Sequence, residues 1–196
     1  MHLVLDICQG VGIAAAVGIR PFLPALAVGA LAAGNVQINF SGTDFSFLEG
    51  APFLLGMVVG AAALGLLERR SRGLLTSPRA LVLVLGALAL AIGALMFAGA
   101  LAQDRYATWP GLLAGIACAA LGIAATVPLL GRVRSRLDEQ AASALPLYAE
   151  GAAVAVAVLS VLAPPVGLIA LVLLVWLLLA SRRREGQKYA GLRILR

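Results

Sequence analysis

Apolar runs of about 20 residues recur along this 196-residue chain, and they constrain its fold more than any other feature. A helix rises 1.5 Å per residue, so about 20 residues cross roughly 30 Å of hydrocarbon. Composition agrees, with 62% of residues hydrophobic, 12% charged and a mean hydropathy of +1.01. Soluble domains carry about one quarter charged residues. No polar segment is long enough to fold separately, so the whole chain, 1–196, reads as a single transmembrane domain.

Breakers divide the runs into six spans: about 3–33, 51–67, 80–102, 110–131, and a last stretch, 149–180, split at Pro164-Pro165. Proline lacks a backbone donor and restricts the residue before it, so two in a row suit a tight turn. The N-terminus lacks a basic segment and a small-residue cleavage site, which reads as a retained first helix. Alternate loops are basic. Arg69, Arg70, Arg72 and Arg79 follow span two; Arg132, Arg134 and Arg136 follow span four; Arg182, Arg183, Arg184 and Lys188 follow span six. The intervening loops hold Arg105 alone. The positive-inside bias then places both termini in the cytoplasm, with 182–196 as a basic cytoplasmic tail.

A net charge of +6 raises nucleic acid as a partner, but these arginines flank apolar spans and lack interleaved aromatics. They read as topology signals and contacts to anionic membrane lipids. Cys8 and Cys118 lie in apolar runs and His2 is the one histidine, so neither a disulfide nor a metal site is expected, and no cofactor.

Two motifs recur at about half the chain length. Gly18-Ile19 precedes Leu23-Pro24 as Gly122-Ile123 precedes Val127-Pro128; Glu49-Gly50-Ala51 opens span two as Glu150-Gly151-Ala152 opens span five. These matches predict an all-α membrane fold of 3+3 inverted-topology repeats, residues 1–102 and 103–181, with Pro-interrupted helices 1 and 4. Many secondary transporters are built this way.

Arg20 is the most informative single residue, because it falls inside span one beside Pro21 and Pro24. An intramembrane cation is costly and marks a site, unless it reaches the headgroups. The candidate substrate-binding set is Arg20, Pro21, Pro24, Glu49, Thr126, Pro128 and Glu150, at the meeting of spans one and four. Glu49 would neutralise Arg20 on the outer side, with Glu150 its counterpart near the cytoplasm. A plainer reading makes both glutamates helix N-terminal acids, and Asp6 as well. Residues 35–46 read as an external loop or a short amphipathic lid. Gly56 and Gly60 have GxxxG spacing, which suits close packing or a homodimer.

The stretches GIRPFLP, FLEGAP and the C-terminal KYAGLRILR resemble a family of small bacterial membrane proteins known only as a domain of unknown function. That resemblance covers essentially the whole chain and implies a multi-pass protein of the bacterial inner membrane. It brings no substrate or residue roles. No nucleophile elbow, Walker loop or zinc motif is present, and the chain does not read as an enzyme. The expected function is a transporter or channel-like protein for a small, preferentially anionic solute. The alternatives are a flippase acting on a lipid headgroup, and a non-transporting membrane scaffold or assembly subunit.

Overall fold

The computed structural model describes residues 2–70 and 78–190, so Arg72 and the tail 191–196 lie outside the described residues. Within them the fold is all-helical. The helices are α1 (His2–Ile19), α2 (Phe22–Ala33), α3 (Ala51–Arg70), α4 (Pro78–Ala102), α5 (Trp109–Arg134), α6 (Glu139–Leu162) and α7 (Pro165–Ala190), with a 3-10 turn at Ser46–Glu49. Four segments are long and apolar enough to cross a membrane: His2–Ile19, Leu83–Ala102, Trp109–Arg134 and Ala144–Leu162. Phe22–Ala33, Ala51–Leu67 and Pro165–Ser181 are apolar but shorter. The chain is a multi-pass membrane protein.

The single first span expected over residues 3–33 is instead a helical hairpin. Pro21 disfavours a helical conformation at Arg20, whose N–H makes the last bond of α1, to the Ala16 carbonyl at 3.2 Å. Pro24 then falls in the first turn of α2, where backbone donors have no intrahelical partner to lose. Beyond the break the chain turns back. Gln9 Nε2 reaches the Gln37 carbonyl at 3.5 Å, whereas a continuous helix would hold those residues about 42 Å apart.

This hairpin sets the architecture, because α1 becomes the central helix, buried from Cys8 to Gly18 among α4, α5, α6 and α7. Small residues make that possible. A Cβ added at Gly12 would strike Ser160 of α6 and stand 2.6 Å from Gly167 Cα of α7. One added at Gly18 would meet the Ala119 backbone of α5. Between apolar helices in lipid no hydrophobic difference drives association, so close backbone approach supplies the attraction as dispersion.

Contacts also fix direction. Gly10 packs on Phe97 and Gly93 on Ala14, so α1 and α4 are antiparallel. Gly12 faces Ser160, which makes α6 antiparallel too. Cys8 lies against Gly167, and Ala15 shares a buried cluster with Leu174, so α7 runs parallel to α1. The start of α1 therefore shares one end of the bundle with residues 34–50, 103–108 and 163–164, called here the connector end. The chain's two described ends lie at opposite ends of the bundle, where the six-span reading expected both termini on one side. The added turn at Arg20 is the cause.

Other expectations shift as well. Helix α5 runs unbroken through Pro128, and α6 through Pro146. An interior proline removes one backbone bond, which neighbouring packing can absorb within a bundle. Glu150 lies well inside α6, whereas Glu49 stands before α3 in the 3-10 turn. Gly18-Ile19 ends a helix, whereas Gly122-Ile123 lies mid-helix. The motif pairs behind the expected repeat thus occupy unlike places. Helix α7 also continues to Ala190, past the boundary drawn at residue 181.

Residues 34–50 fold inward as a cap. Ile38, Phe40 and Leu48 are buried, with the Phe40 ring against Gly99 and Leu48 between Gly29 and Gly99. Glu49 ties the segment closed, accepting from Phe40 N at 3.1 Å and Ser41 Oγ at 2.8 Å. Helix α3 is peripheral and packs mainly on α2 and the 3-10 turn.

Candidate functional site

Beneath this cap lies a buried polar cluster. Asp6 and Gln9 stand one turn apart in α1, and Gln103 continues the last turn of α4 through a bond from its N–H to the Gly99 carbonyl at 3.3 Å. Asp6 is 5% and Gln9 2% exposed. Gln103 Nε2 donates to Asp6 Oδ1 at 3.0 Å and to Gln9 Oε1 at 3.5 Å. Gln9 Nε2 donates to the Gln37 carbonyl at 3.5 Å and to the Val161 carbonyl, at the end of α6, at 3.4 Å. Asn39 N donates to Gln103 Oε1 at 3.4 Å. Asp6 Oδ2 is buried with no hydrogen-bond partner among the described residues. Four separate parts of the chain thus converge on two amides and one carboxylate.

The cap's backbone is held in a costly shape to reach this cluster. Gln37 has φ +60°, a left-handed conformation worth about 1–2 kcal/mol against a residue with a Cβ. Its carbonyl is the one that Gln9 meets. Asn35, also left-handed at φ +53°, closes α2 at much less cost, since asparagine tolerates that conformation after a helix. At the rim, Asp104 lies near Asp6, with Oδ2 3.9 Å from His2 Nδ1.

The expected site residues divide between the two ends. Glu49 belongs to the cap, about eleven helical residues or 16 Å from the level of Arg20 along α1. Arg20 stands where α1 ends, partly buried, with Pro21 and Pro24 buried beside it. Carrying the Gly12–Ser160 register eight residues along both helices brings Arg20 level with residue 152. Gln9 and Arg20 share a face of α1, being eleven residues apart, and Val161 and Glu150 share a face of α6 for the same reason. Gln9 meets the Val161 carbonyl, so Arg20 and Glu150 stand at about one level of the bundle, and each makes a polar interaction.

Thr126 and Pro128 lie on α5 toward this same end. The Thr126 hydroxyl, however, is spent on the Gly122 carbonyl at 2.6 Å, and the Pro128 carbonyl accepts from Arg132 Nε at 3.1 Å. Neither side chain is turned to a common centre with Arg20 by any bond of its own. The polar centre of the molecule is the one at the opposite end. Sequence reasoning gave Asp6 no role beyond that of a helix N-terminal acid and did not single out Gln9 or Gln103. The available signal was the spacing of Asp6 and Gln9, three residues apart on one face of an apolar helix.

Residues 7–184 match the family described as Domain of unknown function (DUF4126). The chain belongs to this family. Its match begins one residue after Asp6 and takes in Gln9, the cap, Gln103 and all seven helices to within a few residues of the end of α7. No curated protein and no solved structure matches this DUF4126 chain.

Proposed function

We propose that this DUF4126 protein is a small transporter of the bacterial inner membrane, moving a small solute with Asp6 as its working ionisable group. The observation that carries the reading is a buried carboxylate set among amides and carbonyls inside an otherwise apolar bundle. Ionisable groups within membrane-spanning helices are expensive, and they mark ion or substrate pathways. The cap above the cluster and the peripheral α3 supply parts that can move against the packed α1 core. Glu150 at the level of Arg20 offsets the charge on which a preference for anions rested, so the favoured solute is neutral or cationic.

The connector end carries Arg105 as its one basic loop residue, whereas Arg69, Arg70, Arg79, Arg132, Arg134 and Arg136 cluster at the other. The positive-inside bias places the arginine end in the cytoplasm and the cap outside. The N-terminus is then external and the C-terminus cytoplasmic.

A scaffold or assembly subunit is the second reading, favoured by the backbone-to-backbone packing of Gly12, Gly18 and Gly167, which suits a rigid core. Purified protein in liposomes separates the two. Solute-evoked currents and radiolabelled uptake are measured over a panel of small neutral and charged solutes, with fluorescent lipids as the flippase arm. Saturable flux abolished by Asp6→Asn supports transport. An inert bundle across the panel that co-purifies with other membrane subunits overturns it.

A further inference from the structure

Asp6 Oδ2 stands out because its surroundings are incomplete. Nine in ten or more buried polar atoms have a partner, and this one has none among the described residues. A neutral carboxyl would place an O–H there, with Asp104 at the rim as its acceptor, so either a proton shared with Asp104 or a bound cation would complete the group.

Neutral oxygens are linked to the carboxylate through the two amides: Gln9 Oε1 by way of Gln103, and the carbonyls of Gln37 and Val161 by way of Gln9. Of the four contacts those amides donate, three are 3.4–3.5 Å, at the long limit for a hydrogen bond, and only the Gln103–Asp6 contact is of normal length. Long bonds are given up easily, and a turned amide presents its own oxygen. Hard cations take carboxylate, amide and backbone oxygens, and one buried carboxylate matches a single positive charge. The nearest second acid, Asp104, is 40% exposed and leans toward His2, so it adds no buried charge. Arg105 follows it in the chain and is exposed.

We propose that Asp6, Gln9 and Gln103, with the Gln37 and Val161 carbonyls, form a binding site for a sodium ion. The donors come from α1, the ends of α4 and α6, and the cap, so the ion holds the cap against the bundle and favours the closed arrangement. Its role as coupling ion rests on the transport reading; binding itself does not.

The test uses the purified full chain in detergent, with sodium exchanged for choline at constant ionic strength. Bound ²²Na⁺ and the melting midpoint are measured between pH 5 and 9. Expected are saturable binding, a midpoint that climbs with sodium, and at least tenfold weaker binding in Asp6→Asn and in Gln9→Leu. If one variant misfolds, the other carries the comparison with the wild type. Equal midpoints in sodium and choline with no bound ²²Na⁺ overturn the site. So does a midpoint that follows pH but not sodium, which assigns Oδ2 to a proton shared with Asp104. Binding that survives Asp6→Asn places the ion elsewhere and also overturns it. Sodium binding without flux leaves the site standing and removes the transport reading, whereas sodium-independent flux does the reverse.

Discussion

Gln103 Nε2 donates to Asp6 Oδ1 at 3.0 Å, joining the second turn of α1 to the end of α4 across 97 residues of chain. This is the shortest contact in the buried cluster, and it gives the Asp6 carboxylate its one protein donor among the described residues. Gln103→Leu therefore strands a buried carboxylate. It is expected to lower unfolding stability by about 1–3 kcal/mol, read by denaturation in detergent. The double variant Asp6→Leu/Gln103→Leu removes both partners and is expected to recover most of the loss. An additive double loss would show that the two groups are not coupled.

Arg20 and Glu150 are brought to one level by the antiparallel packing of α1 and α6. Neutralising either, as Arg20→Gln or Glu150→Gln, is expected to destabilise the protein. The loss should fall below the roughly 3–5 kcal/mol of a fully buried pair, because both residues are only partly buried. Exchanging the two charges in Arg20→Glu/Glu150→Arg is expected to regain stability over Arg20→Glu alone. No recovery would mean that each residue is held by other groups.

Glycine positions that look alike in the sequence are expected to respond very differently. At Gly167 a Cβ would collide with the Cys8 carbonyl and stand 3.0 Å from Gly12 N, both backbone atoms that cannot turn aside. Gly167→Ala is expected to cost about 1–3 kcal/mol or more. At Gly56, half of the GxxxG pair, nothing lies within 4 Å, and Gly56→Ala should change the melting midpoint little. Equal sensitivity at the two sites would point to a second chain packed on Gly56.

Gln37 contributes a carbonyl rather than a side chain to the cluster, from a left-handed backbone. Gln37→Gly keeps the carbonyl and relieves a strain of about 1–2 kcal/mol, partly offset by glycine's larger loss of freedom on folding. A modest rise in stability is expected, and a fall for Gln37→Val. Thermal unfolding of the three proteins checks the order.

Sidedness follows from the hairpin. In a background with Cys8 and Cys118 replaced by alanine, single cysteines at His2 and Arg105 are expected to react together with an impermeant maleimide added outside intact cells. A cysteine at Arg134 is expected to be protected until the membrane is opened. Protection at His2 with reaction at Arg105 would return the N-terminus to the cytoplasm.

Much of the architecture was legible because membranes impose a simple length rule. The apolar runs, the Pro164-Pro165 turn and the proline-marked break near Arg20 were all visible, since each depends on neighbours close in sequence. What the break does was not. Pro21 interrupts α1 whether the chain then continues or doubles back, and only packing of α2 against α3 and α6 makes it double back. The glutamates illustrate the same limit. Identical Glu-Gly-Ala triplets stand before one helix and in the middle of another, because their surroundings differ more than their letters do.

The sequence by itself determined a multi-pass, all-helical membrane chain with basic residues gathered in alternate loops. Hydrophobic length and composition act locally, and no tertiary contact is needed to read them. Only the tertiary structure decided that α1 sits at the centre and that Asp6, Gln9 and Gln103 meet beneath a cap. It also placed Glu49 in the cap, at the opposite end of the bundle from Arg20. Those outcomes depend on which backbones approach closely enough at glycine to exclude the alternatives, and that closeness is a property of pairs of helices far apart in the chain.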